Sequence, residues 1–146
     1  MTIALAQARA GAAAGEVPVG AVLVDGSGTE LARAHNAPLA LCDPTAHAEV
    51  LAIRAAAQNL QQYRLPETTL YATLEPCALC MGAAIQARIG RIVFGAADSK
   101  GGAAGSRVDL SDQPALNHRI MTQGGVLAQA CGDILKEFFA ARRNRS

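Results

Sequence analysis

Residues 1–14 repeat apolar positions at helical spacing, and Gly15 supplies a stop, so the chain is predicted to open with a helix. The pattern then changes. Residues 17–24 are β-branched and apolar, and Asp25-Gly26-Ser27-Gly28 is a turn signal, which makes residues 30–35 the predicted return strand of a hairpin. Residues 36–43 read as a loop, with Pro38 and Pro44 as breakers. Helical spacing returns over residues 46–60, where Val50, Ile53, Ala57 and Leu60 share a face and Thr45 stands ready to cap the first turn. Residues 68–74 read as a strand. Pro76 opens a third predicted helix, 77–87, because a proline's missing N–H is no loss in a first turn. A short buried strand is expected at 91–95, an irregular Gly-rich stretch at 96–114 and a further strand at 125–127. The terminal helix is expected at 133–143, with Ile134, Leu135, Phe138 and Phe139 facing inward.

A hairpin followed by strands that alternate with helices implies a mixed sheet covered by helices, an α/β layered domain. The 146 residues fit one domain, 1–146. Half the chain is apolar but it has no Trp, two Tyr and three Phe, so Ala, Val, Leu and Ile must fill the core. A net charge of +1 rules out a global basic field, and any contact with a polyanion must come from a local patch. No apolar run is long enough for a membrane span, and the first helix lacks the basic start of a signal peptide. Four cysteines, two of them in a C-x-x-C, suit a reducing compartment, so a cytoplasmic location is expected.

Chemistry concentrates in His47-Ala48-Glu49 and Pro76-Cys77-Ala78-Leu79-Cys80. Cys77 and Cys80 lie three apart, so one helical turn carries both sulfurs to one side, at a helix start where the dipole favours thiolate. Taken alone, the C-x-x-C fits a redox pair or half a structural zinc site, His47 a metal-free histidine at a helix start, and Glu49 an ordinary exposed carboxylate. Taken together, the two motifs favour a metal: His47, Cys77 and Cys80 supply three ligands for one Zn2+ per chain and leave a fourth position for water. Glu49 then stands where a carboxylate can move protons. This H-x-E…P-C-x-x-C pattern is the signature of zinc nucleobase deaminases.

The neighbouring residues narrow the resemblance. Glu16-Val17-Pro18-Val19-Gly20-Ala21, Asn36, Asp43-Pro44-Thr45-Ala46-His47-Ala48-Glu49 and Thr73-Leu74-Glu75-Pro76-Cys77 resemble bacterial tRNA-specific adenosine deaminases. So do Ala87-Arg88-Ile89-Gly90-Arg91, Val93-Phe94-Gly95, Gly102-Ala103-Ala104-Gly105-Ser106, Asn117-His118-Arg119, and Phe138-Phe139 with Arg142-Arg143. The resemblance runs in order along nearly the whole chain. It implies a three-layer α/β/α, cytidine deaminase-like fold with a central five-stranded mixed sheet. It implies zinc on His47, Cys77 and Cys80, with Glu49 as proton shuttle. The reaction would convert adenosine to inosine at the wobble position of a tRNA anticodon, most often that of arginine tRNA, and the enzyme would be a homodimer. Asn36 matches the asparagine that hydrogen-bonds the target base. Val17, Leu74 and Phe139 match positions along the path of the flipped nucleotide, and Asp98 and Lys100 a loop that meets the anticodon backbone. The family's first helix usually begins a turn ahead of the position of Met1, and Ala97 stands where some relatives carry arginine.

Several other residues have two readings. Arg142 and Arg143, with Arg145, suit either a solvated helix end or phosphate contact. Cys42 and Cys131 read as small buried residues, His118 as a structural hydrogen-bonding residue, and the 101–105 glycine stretch as a tight turn. Met81, Ala83, Ala84 and Ile85 offer an apolar surface for a dimer. The function alternatives are a small-molecule deaminase of guanine, cytosine or a nucleoside, and a non-catalytic zinc module. The latter requires a fourth protein ligand from Cys42, Cys131 or His118.

Overall fold

A computed structural model describes residues Met1–Ser146. The elements run α1 (Thr2–Ala13), β1 (Gly20–Val24), β2 (Glu30–His35), α2 (Pro38–Leu41), α3 (Ala48–Leu60), β3 (Thr69–Leu74), α4 (Ala78–Gln86), β4 (Arg91–Ala96), β5 (Met121–Gln123) and α5 (Ala128–Arg143). The five strands form one sheet in the order β2-β1-β3-β4-β5. β1 is antiparallel to both β2 and β3, whereas β3, β4 and β5 are parallel. It follows that β2, β3 and β4 all end at the same edge of the sheet. α3 and α4 pack together on one face, α1 and α5 on the other, giving three layers. A cluster of 19 buried apolar residues, mostly aliphatic, joins the sheet to α3 and α4.

Two glycines let the outer helices close on the sheet. A Cβ at Gly20 would lie 1.9 Å from the Ala4 carbonyl oxygen of α1, and one at Gly95 would lie 2.3 Å from Cys131 Sγ of α5. Neither site can hold a larger residue without pushing a helix away.

Several expectations need correction. The 36–43 loop contains a helical turn, α2, started by Pro38 and held from a distance: the buried Glu16 carboxylate accepts Leu39 N–H at 3.3 Å and Ala40 N–H at 2.8 Å. The last strand is Met121–Gln123, not 125–127. Gly125 (φ 88) and Leu127 (φ 53) are left-handed and lead into α5, which begins at Ala128, earlier than 133. In α3, Val50 and Ile53 are buried but Leu60 is exposed. The buried row Ala48, Ala52, Ala56 drifts by roughly 40° every four residues, and by Leu60 it has turned to solvent. In α5, Ile134, Leu135 and Phe138 are half-buried and Phe139 is exposed.

Candidate metal centre and its cavity

The site lies outside the carboxyl ends of β2, β3 and β4, where open α/β sheets bind ligands. Two helices start there. His47 is the N-cap residue of α3 and Cys77 that of α4, both with extended backbone. Pro76 therefore precedes the helix rather than opening it, and Cys80 sits in the first turn. Thr45 does not cap α3. Its hydroxyl donates to Asp43 Oδ1 at 2.7 Å, and the Ala48 N–H is met instead by Asn36 Oδ1 at 2.8 Å. This bond fixes the Asn36 amide and leaves its NH2 free to donate elsewhere.

His47 Nδ1 stands 3.5 Å from Cys77 Sγ and 3.4 Å from Cys80 Sγ, and the sulfurs are 3.7 Å apart. Zinc–sulfur bonds of about 2.3 Å and zinc–nitrogen bonds of about 2.0–2.1 Å in a tetrahedron put ligand atoms roughly 3.5–3.8 Å apart. The three donors thus already lie close to the edges of one zinc tetrahedron. The Cys77 thiol is lowered to about 5, first by the hydrogen bond from Cys80 and then by N–H groups of the helix start and the nearby His47. Burial raises the Glu49 carboxyl above its ordinary range. Glu49 is itself buried, with Oε2 3.4 Å from Cys80 Sγ.

No fourth Cys or His joins this group. Cys42 is exposed at the end of α2, which corrects its assignment as a buried residue, while Cys131 is buried under Gly95. His118 Nε2 bonds the Ile89 carbonyl at 2.8 Å, the structural role expected of it. The fourth ligand that a purely structural zinc site needs is therefore not supplied by any of the three candidates.

A cavity of about 290 Å³ opens beside the donors, lined by Val17, Val19, Asn36, Pro38, His47, Glu49, Leu74, Glu75, Cys77 and Asp98. An adjoining groove of about 420 Å³ shares Val17, Leu74 and Asp98 and adds Lys100, Lys136 and Phe139, among others. The structure so brings together Val17, Asn36, His47, Glu49, Leu74, Cys77 and Asp98, with Cys80 behind them and Lys100 and Phe139 alongside. Arg142 and Arg143 line neither space. Arg142 lies over the Phe138 ring and donates to the Gly15 carbonyl at 2.7 Å.

Two charged lining residues, Glu75 and Lys136, had no role assigned from the sequence. Lys136 had a signal, since Gly132, Leu135, Lys136 and Phe139 share one helical face. Glu75 had only its place between an apolar strand and Pro-Cys. Burial pushes its carboxyl up, but hydrogen bonds from Ser106, Asp98 and Ala104 more than offset this and hold it below the usual range.

Residues 1–96 match the family described as the cytidine and deoxycytidylate deaminase zinc-binding region, a span that contains all three donors and Glu49. A tRNA-specific adenosine deaminase of Haemophilus influenzae is 48% identical over 143 residues, 98% of this chain and 83% of that protein. The chain is a deaminase of this zinc-binding family. A solved structure from studies of A-to-I editing by tRNA:A34 deaminases at the wobble position shares 44% identity and a TM-score of 0.89, covering 92% of this chain and 97% of that one. Guanine deaminase from Nitrosomonas europaea shares the fold at lower identity: 26%, TM-score 0.78, covering 95% and 82%. This deaminase is accordingly a zinc-binding hydrolase with the cytidine deaminase-like fold, its five-stranded mixed sheet flanked by helices, and several of its relatives above 40% identity are tRNA-specific adenosine deaminases. No helix is long and apolar enough to cross a membrane.

Proposed function

We propose that this deaminase converts adenosine to inosine at the wobble position of a tRNA anticodon, that of arginine tRNA foremost, with residues 1–146 acting as one domain. The observation that carries the reading is a buried carboxylate, Glu49, set beside a three-donor metal site in a cavity sized for one base. At about 290 Å³ the cavity is near the lower bound of about 300 Å³ for ligand pockets, so it admits a flipped nucleotide and not a folded loop. An anticodon loop already exposes its bases, which lowers the cost of flipping.

When bound to His47, Cys77 and Cys80, zinc supplies Lewis-acid activation of water near neutral pH. Glu49 moves the protons. It accepts one from the attacking water and delivers it to the adenine ring nitrogen as the water oxygen bonds to C6. It then takes the proton of the new C6 hydroxyl and passes it to the amine, so that the C6–O bond becomes a carbonyl as the C6–N bond breaks and ammonia leaves. Burial suits Glu49 to this, because a carboxyl raised above its ordinary range holds the proton between the two transfers. The free NH2 of Asn36 is placed to donate to the base, and Val17 and Leu74 supply apolar walls. Lys100 and Lys136 offer a local cationic edge for the flanking phosphates, and Phe139 a ring on which a neighbouring base stacks. Arg142 and Arg143, exposed at the end of α5 and outside both spaces, are assigned as further phosphate contacts in this reading.

A small-molecule deaminase shares the zinc donors and Glu49. The test is to incubate the purified protein with an arginine anticodon stem-loop, guanine and cytosine in parallel. Inosine at the wobble base, with the free bases unchanged, is the expected result. Turnover of guanine or cytosine with an untouched stem-loop would favour the alternative.

The homodimer expected from the family cannot use the surface first assigned to it, because Met81, Ala84 and Ile85 are buried inside the chain and only Ala83 faces outward in part. A largely apolar groove lies between α3 and α4, lined by Val50, Ile53, Ala57, Tyr63, Ala83 and Ala87 together with Arg54 and Gln86, and Tyr63 in it is 73% exposed. We place the dimer contact there. Sedimentation velocity at micromolar protein should show a dimer that Ala83→Arg converts to monomer; a wild-type monomer at that concentration removes the idea.

A further inference from the structure

We propose that Glu75 is a positioning residue for substrate binding, holding the loop of residues 97–106 as the wall shared by the base cavity and the adjoining groove. This rests on the RNA reading above. Glu75 follows β3 directly and is 2% exposed. Its Oε1 accepts the Asp98 N–H at 3.2 Å and the Ser106 hydroxyl, and its Oε2 accepts the Ala104 N–H and the Ser106 N–H, each at 3.1 Å. All four donors come from one loop, and neither of the chain's ion pairs involves Glu75. Gly102 shows how closely the loop is fitted, since a Cβ there would lie 2.3 Å from Glu75 Oε2.

The clamp leads to the substrate side through Asp98. Asp98 lines both the cavity and the groove, and its backbone N–H is the one bound to Glu75. Its own Oδ1 accepts the N–H groups of Lys100 at 3.0 Å and Gly101 at 3.1 Å, and its carbonyl accepts the Gly102 N–H at 2.9 Å. Glu75, Asp98 and Lys100 thus form one hydrogen-bonded series from the buried sheet edge to the groove. Gly101, Gly102 and Gly105 give the loop a large conformational freedom that it must lose to present Lys100 at a fixed place. Glu75 takes that loss in the free enzyme, so the RNA does not incur it on binding.

The test compares zinc-loaded wild type with Glu75→Gln and Ser106→Ala on the arginine anticodon stem-loop. A glutamine oriented to keep the Ala104 and Ser106 N–H bonds puts its NH2 against the Asp98 N–H, while the Ser106 hydroxyl can turn to accept. Only the Asp98 arm is then released. Glu75→Gln is expected to raise KM about tenfold or more with kcat within about threefold, and Ser106→Ala to raise KM about two- to threefold, both with wild-type zinc content. A merely structural Glu75 would lower the amount of active enzyme, and so kcat, without moving KM. Unchanged KM in both variants overturns the proposal, as does a fall confined to kcat. If Glu75→Gln loses zinc or fails to fold, Ser106→Ala decides alone by the same split. If the wild type makes no inosine in the stem-loop, the RNA reading itself has failed and this inference falls with it; a wild type that works beside variants of unchanged KM condemns only the clamp.

Discussion

Glu49→Gln should lower kcat on the stem-loop by about two to four orders of magnitude while the protein keeps its zinc, because that is the usual worth of a positioned general acid–base group. Glutamine is the informative replacement. Glu49 is only 4% exposed, so an alanine would leave a hole, whereas the amide preserves the volume and removes only the ability to carry a proton. The first turn of α3 explains why the effect should be confined to chemistry. His47 precedes the helix and holds its ring toward Cys77 and Cys80, while Glu49, two residues on, enters the cavity from inside the helix. Zinc content by elemental analysis and the melting temperature should therefore match wild type. Undiminished turnover at full zinc occupancy would remove Glu49 from the mechanism.

The parts of this site that were legible in the sequence are those fixed by local spacing. Cys77 and Cys80 are brought together by one turn of α4, and His47 and Glu49 by the start of α3. The hairpin strand β2 was equally plain, because Asp25-Gly26-Ser27-Gly28 ends one run and the next spans Glu30–His35. What escaped depends on partners far along the chain. α2 has four residues and no apolar period, and it exists because Glu16 satisfies two of its N–H groups from more than twenty positions away. β5 is three exposed residues on the sheet edge, so no alternation marks it, while the apolar Val126-Leu127 nearby belongs to the approach to α5. The cap of α3 went to Asn36 rather than Thr45 for the same reason: its donor and acceptor are twelve residues apart. The buried face of α4 was misassigned because Met81, Ala84 and Ile85 meet the sheet core, a fact that apolar character alone does not separate from a surface for a partner.

Removing the zinc should abolish activity, by about three orders of magnitude or more, and lower the melting temperature without unfolding the protein at room temperature. Two features separate these effects. The 19-residue core joining sheet, α3 and α4 is built without His47, Cys77 or Cys80, so the fold has its own source of stability. Yet the metal ties the starts of α3 and α4, and a ligand present at a thousand times its Kd adds about 4 kcal/mol to the folded state. For a chain of this size that is a shift of about 10 °C. Dialysis against a chelator should produce both losses, and added zinc should restore both. Cys80→Ser should behave differently. A serine hydroxyl is a poor substitute for a thiolate on zinc, so the variant should stay inactive at zinc concentrations that rescue the chelated wild type. Cys80 is 1% exposed, at 3.4 Å from both His47 Nδ1 and Glu49 Oε2, so its loss removes the donor that joins the metal position to the buried carboxylate. Full activity in protein shown by elemental analysis to hold no metal would refute the hydrolytic mechanism, since Glu49 alone has no means of making water a nucleophile strong enough to attack an aromatic ring carbon near neutral pH.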